Sequence, residues 1–185
     1  MHMTSDRLLA AGGALGVQWL MILATALGTV AIFGGCGKKV PKVNPCSLVA
    51  TEQVQKVTPT ASIATFEPRI KDNPALLCAW RDGDGKVVAM LFVQPTSGGA
   101  PDQKLSAFLG RSARVVGVSA VGAQAAAAFS KDARAGTERM EIIMADDGKW
   151  NVNFRALGVG DETTSEFEAA RDVVLGALSR LASLK

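Results

Sequence analysis

Met140-Glu141-Ile142-Ile143-Met144-Ala145-Asp146-Asp147-Gly148-Lys149-Trp150-Asn151-Val152-Asn153-Phe154-Arg155-Ala156 is the run that decides the fold. Two strand-like segments flank an Asp-Asp-Gly turn, which is a β-hairpin signature. Trp150, Val152 and Phe154 alternate with Asn151, Asn153 and Arg155, so the spacing predicts one buried face and one wet face. Two registers compete. A two-residue Asp147-Gly148 turn pairs Glu141 with Phe154 and Ile143 with Val152. A three-residue Asp146-Asp147-Gly148 loop pairs Met144 with Trp150, Ile142 with Val152 and Met140 with Phe154. The second gathers the apolar side chains and sets Gly148 at a left-handed position, so it is the one expected.

Working outward, Phe167, Ala170, Val174, Leu178 and Leu181 follow helical spacing, and the run from about Thr164 to Ser183 reads as a long helix. Thr163 to Glu166 fits a capping box. Upstream, Arg114 to Val118 reads as a short strand. The alanine run Ala125 to Ala128 favours helix by propensity, but its short length before a turn-rich segment reads instead as an edge strand. Ala75 to Arg81 and Lys86 to Gln94 form a hairpin around Asp82-Gly83-Asp84-Gly85. Val87, Ala89, Leu91 and Val93 oppose Val88, Met90 and Phe92, which predicts a central strand covered on both faces. Asp102 can start a helix to about Gly110 that carries Leu105, Phe108 and Leu109 inward. Asn44-Pro45 reads as a cap followed by proline at the first helical position. Behind it, Leu48, Val49, Val54 and Val57 give a short amphipathic helix with Thr51 as a second cap. The expected class is α+β: a single antiparallel sheet packed by a long C-terminal helix and shorter helices.

A hydrophobic signal or anchor helix is expected ahead of this domain. Leu8 to Phe33 holds 26 residues without a charge. Its strong core, Trp19 to Phe33, has the length of a signal peptide, whereas the full stretch is long enough to span. Ile32-Phe33-Gly34-Gly35-Cys36 then reads as a lipoprotein processing site. Small residues before the cysteine let the peptidase approach the backbone, and Phe33 departs from the usual aliphatic residue. The expected division is residues 1–35 as signal peptide or uncleaved anchor, 36–45 as tether, and 46–185 as an extracytoplasmic domain, with Cys36 carrying the lipid. Lys38, Lys39 and Lys42 favour a cytoplasmic C-terminal side by charge bias alone. The cysteines outweigh them.

Once Cys36 is committed to lipid, Cys46 and Cys78 remain as a pair, and export would let them form a disulfide. Cys46 opens a helical turn and Cys78 sits in a strand, so a bridge would pin the start of the domain to the sheet. Trp80 is expected to pack on it.

Charge and composition exclude several classes. Without residues 1–35 the chain keeps 19 basic and 16 acidic residues, a balance that gives no nucleic-acid footprint. The sole histidine, His2, precedes the hydrophobic stretch, and there is no tyrosine. Ser–His and Cys–His nucleophile pairs are therefore excluded from the domain. Asp82-Gly83-Asp84-Gly85 lacks the closing glutamate of a calcium loop, and Gly117 to Gly122 lacks the ending of a phosphate loop. No catalytic, metal or cofactor site is expected.

Pro45-Cys46-Ser47-Leu48-Val49, Cys78-Ala79-Trp80 and Val118-Ser119-Ala120-Val121-Gly122, followed by a hairpin and a C-terminal helix, resemble a family of actinobacterial lipoproteins of unknown function. That family pairs a PCxLL-type start with a CxW strand and a V-x-G-x-G-D-x-A segment. Ala120 and Ala123 replace a glycine and an acidic residue of the third motif. The resemblance implies an extracytoplasmic α+β domain with a Cys–Cys bridge, similar to PsbP-like folds. The expectation is a non-enzymatic envelope lipoprotein, held to the membrane by its N-terminal lipid or helix and binding an envelope protein partner. The alternative is a small-molecule or lipid carrier, with its cavity between the sheet and the C-terminal helix.

Overall fold

The structure, a computed structural model, describes residues 43–67, 75–119, 123–131 and 136–184. The chain divides after Cys36 into two units, and all described residues belong to the second, Gly37–Lys185. The expected signal or anchor helix and the tether up to residue 42 lie outside the described residues.

A 3-10 turn over Pro45–Ser47 begins where Asn44 Oδ1 accepts the Cys46 amide at 3.0 Å. Helix α1, Thr51–Gln55, follows. Its cap is Ala50 rather than Thr51, and the Gln53 side chain accepts the Ala50 amide at 3.1 Å. Seven strands are described: β1 Ile63–Glu67, β2 Leu76–Arg81, β3 Val87–Pro95, β4 Arg114–Val118, β5 Gln124–Lys131, β6 Glu138–Asp146 and β7 Trp150–Ala156. Helix α2, Pro101–Leu109, links β3 to β4, and α3, Ser165–Ser183, ends the described fold. All strand pairs are antiparallel, in the order β1-β2-β3-β7-β6-β5-β4. The α+β expectation holds for the sheet and its helices. The alanine run is an interior strand, and it fits there because Ala126, Ala127 and Ala128 are at most 1% exposed.

The inner face of the sheet carries the larger core. Its central residues are Trp80, Leu91, Val93, Val152 and Phe154, with Phe167, Ala170, Val174, Leu178 and Leu181 of α3 packed on them. Each of these five α3 residues is at most 4% exposed. The α3 stripe is therefore as its spacing predicts. Its cap is Thr164, whose Oγ1 accepts the Phe167 amide at 3.3 Å, so no Glu166 box forms. Helix α2 lies on the opposite, outer face and buries Leu105 with Ala126, Ala128, Ile142 and Met144. Phe108 does not point inward as expected: it is 70% exposed. Leu109, four residues beyond Leu105, packs with it against the outer core, and Phe108 stands to one side near Arg155, its ring centroid 6.0 Å from that guanidinium.

The hairpin register matches neither alternative. Ile143 faces Phe154, Ala145 faces Val152 and Asp146 faces Asn151. The Asp147 amide donates to the Trp150 carbonyl at 3.2 Å, leaving Gly148-Lys149 as a two-residue loop. Gly148 takes φ +85° at the first loop position, where a II′ turn wants glycine. Asp147 Oδ1 accepts the Lys149 and Trp150 amides at 2.9 and 2.7 Å and holds the turn closed. The face expected to be wet is not: Asn151 is 0% and Asn153 8% exposed.

Two β-bulges break the alternation. Ala128 faces Ile142 and Phe129 faces Met140, so Glu141 is an extra residue, and Met140 and Ile143 share the inner face. Trp80 faces Ala89 and Arg81 faces Val87, so Val88 is extra and joins Ala89 in the core. Only part of the expected double cover of β3 is present. Its inner face is buried, whereas Met90 and Phe92 on the outer face remain half-buried, because α2 lies over β4, β5 and β6 instead.

A Cβ added at Gly176 meets nothing within 4 Å, so close packing does not require this glycine. Gly176→Ala is expected to raise stability by about 0.5–1 kcal/mol, read as a higher urea midpoint at unchanged slope. A lowered midpoint would show that α3 needs glycine there.

Candidate functional site

The sulfurs of Cys46 and Cys78 lie 2.07 Å apart, at disulfide distance, across a sequence separation of 32. The pair ties the 3-10 turn to β2, and Trp80 packs into the same core. Cys36, the expected lipidation residue, lies outside the described residues.

The acidic residues in turns serve the backbone. Asp82 Oδ1 accepts the Asp84 and Lys86 amides at 3.0 and 2.9 Å, which is a hairpin-turn role. Asp161 Oδ1 accepts the Thr163 amide at 3.0 Å and its hydroxyl at 2.5 Å, and these bonds hold its carboxyl below the usual range. Among the described residues, no three His, Cys, Asp or Glu side chains come together as a metal site would require.

Asp146 was legible only as a turn residue, yet it organises a buried polar network on the outer face. Its Oδ2 accepts Thr96 Oγ1 at 2.6 Å, Lys104 Nζ at 3.0 Å and Asn151 Nδ2 at 3.2 Å, and its Oδ1 accepts the Gly148 amide at 2.8 Å. Burial pushes this carboxyl up, but the donors from Thr96, Lys104, Gly148 and Asn151 together outweigh it and hold it below its ordinary value. Asn153 Nδ2 donates to Asn151 Oδ1 at 3.0 Å, whereas its own Oδ1 has no partner among the described residues. An open hollow of about 800 Å³ lies beside Asp146, edged by Thr96, Gly98, Gln103 and Gln124. Both of its carboxylates, Asp146 and Asp147, are already spent on internal donors.

Arg114 of β4 joins Glu138 at 2.5 Å and Glu162 at 2.6 Å, and its guanidinium lies 4.8 Å from the Phe129 ring centroid. Hydrogen bonds to Glu162 and then Glu138 raise its pKa further, and Arg114 in turn lowers that of Glu162. These contacts tie the β4 edge to β6 and to the entry of α3.

A second cleft opens where the sheet forks. Pairing of β6 with β7 runs from Asp146/Asn151 to Ile143/Phe154 and goes no further. Beyond that point β7 stays with β3, through Ala89/Ala156 and a 2.9 Å bond from the Leu157 amide to the Val88 carbonyl. The other arm, β6, stays with β5. The chain after β7 then crosses the gap, and the Met140 amide donates to the Val159 carbonyl at 3.1 Å. Both bulged residues, Val88 and Glu141, line the resulting cleft of about 490 Å³. Its polar wall comprises Ser130, Lys131, Arg139, Glu141 and Arg155. The Ser130 hydroxyl donates to Glu141 Oε1. None of this was foreseen from sequence, because alternation cannot reveal where two strands part.

No family model, curated protein or solved structure matches this chain. Among the described residues, no helix is long and apolar enough to cross a membrane.

Proposed function

We propose that this protein is a bacterial envelope lipoprotein: residues 1–35 serve as its export signal, Cys36 carries the lipid, and residues 46–185 form an extracytoplasmic, non-catalytic binding or accessory domain. In this proposal it is akin to the actinobacterial lipoproteins that its cysteine motifs resemble, and its partner is another protein of the envelope. The observation that carries the proposal is the Cys46–Cys78 pair at bonding distance. Such bridges persist in oxidising compartments and are rare where glutathione and thioredoxin keep thiols reduced. With those two thiols joined, Cys36 is the remaining cysteine of three, placed directly after Gly34-Gly35. A non-catalytic role is supported by the commitment of Asp82, Asp146, Asp147 and Asp161 to local hydrogen bonds. An uncleaved N-terminal helix would place the same domain on the same side of the membrane.

The close packing of α3 gives the carrier alternative less support at its expected location. Ala170 and Ala177 of α3 are 0% exposed, with Val173 and Val174 at 1%, so the interface between helix and sheet is filled.

Fractionation of cells expressing the full chain tests the tether. Wild-type protein is expected in the membrane fraction. Cys36→Ser is expected to lose lipid, retain its signal sequence and migrate as a larger species. An unchanged mobility and an unchanged partition would exclude Cys36 as the anchor.

A further inference from the structure

We infer that the cleft at the sheet fork binds an anionic amphiphile, an acidic head group carrying an apolar chain. This goes beyond the tethering proposal and rests on it only in that the full chain is held at a membrane. At about 490 Å³ the cleft lies within the range of small-ligand sites, which runs from roughly 300 to 1,000 Å³. Lys131 and Arg155 set two cationic residues on its walls, and the carboxylate there, Glu141, is engaged by Ser130. Among the described residues Lys131 has no carboxylate partner, and Arg155 has only the Phe108 ring, at 6.0 Å. A guanidinium and an ammonium left in this state are suited to a carboxylate or phosphate, which forms charge-assisted bonds with both.

The apolar half of the ligand is read from the surface around these charges. Val87 and Met90, both half-buried, contribute apolar surface to the wall, whereas Met140 and Ala156 on it are already buried. Leu157 stands on the rim at 53% exposed, and Phe108, beside Arg155, is 70% exposed. A free inorganic anion would leave this surface in water, whereas an alkyl chain would cover it, at about 25 cal/mol per Å². Two bulges keep the site open: Glu141 and Val88 carry β6 and β3 out of regular alternation on opposite walls of the cleft. Such irregularities recur where a strand must re-aim side chains.

The test uses the full chain in nanodiscs of neutral phosphatidylcholine, titrated calorimetrically with hexyl phosphate, hexanol and inorganic phosphate. Hexyl phosphate is expected to bind saturably, with a Kd of about 1 mM or tighter, and each of the other two at least about tenfold more weakly. Lys131→Gln combined with Arg155→Gln is expected to weaken hexyl phosphate about tenfold or more while leaving the thermal midpoint in place. Three outcomes overturn the inference: no saturable binding, equal affinity for inorganic phosphate, or binding unchanged in the folded double variant. A further arm separates the two sources of such a head group. If doping the nanodiscs with phosphatidylglycerol competes with hexyl phosphate, the ligand is a membrane lipid. If hexyl phosphate binding is undiminished, it is a free amphiphile.

Discussion

Converting Cys46 and Cys78 together to alanine is expected to lower stability by roughly 3.5–4 kcal/mol, the chain-entropy value for a loop of this length. The effect acts largely through the unfolded chain, whose freedom the cross-link restricts across a separation of 32 residues. A folded-state loss adds to it. The bridge holds the 3-10 turn to β2, and from there Leu48 and Val49 reach the core at 4% and 3% exposed. A domain of this size has about 5–15 kcal/mol in total, so the variant should unfold at a much lower denaturant concentration. Reducing the wild-type protein should reproduce the double variant. If the reduced protein keeps its midpoint, the bridge contributes nothing and the pair is two neighbouring thiols.

Asp146→Ala is expected to cost about 3 kcal/mol, as removal of one partner from a buried polar cluster typically does. The carboxylate is 8% exposed, and its loss strands the Asn151 amide, which is 0% exposed. Lys104 loses its charge partner, and the Gly148 amide loses the acceptor that shapes the turn. Asp146→Asn should cost less, because the shape and one acceptor oxygen survive, although the new amide NH2 cannot accept from the donors that met the other oxygen. The pH dependence has a definite sign. The folded pKa of Asp146 lies below its ordinary value of 3.8, so its contribution is complete above that value and is lost as pH falls through the folded pKa. Wild-type stability should therefore fall at acid pH more steeply than that of Asp146→Asn. The comparison between the two isolates Asp146, since Glu162 and Asp161 are lowered as well and titrate in both proteins. Parallel acid limbs would contradict the network as described.

The contrast between Phe154 and Asn153 shows how far the sequence could be read. Period-two alternation correctly puts Val152 and Phe154 on the face that meets α3. It could not show that the opposite face of β7 would also be buried, because that depends on where α2 comes to rest after crossing from β3 to the far edge. Asn151 and Asn153 thus sit in a network with Asp146, Thr96 and Lys104, the last two of which precede Asp146 by 50 and 42 residues. The register was missed for a local reason. Read from sequence, Gly148 ends an Asp-Asp-Gly loop, whereas in the structure it begins a Gly148-Lys149 turn that the Asp147 amide closes. The bulges at Val88 and Glu141 left no mark in the pattern, since a valine and a glutamate look ordinary in a strand. Without them the fork, and the cleft it opens, could not be anticipated. The cysteine pairing was legible, because one thiol was already accounted for by its glycine-rich setting and two were left.

Intact mass spectrometry of the protein extracted from its native membrane tests the central proposal most directly. It should report a chain beginning at Cys36, with the added mass of lipid and the mass deficit of a single disulfide. A full-length, unmodified chain with three free thiols, recovered from the soluble cytosolic fraction, would contradict it.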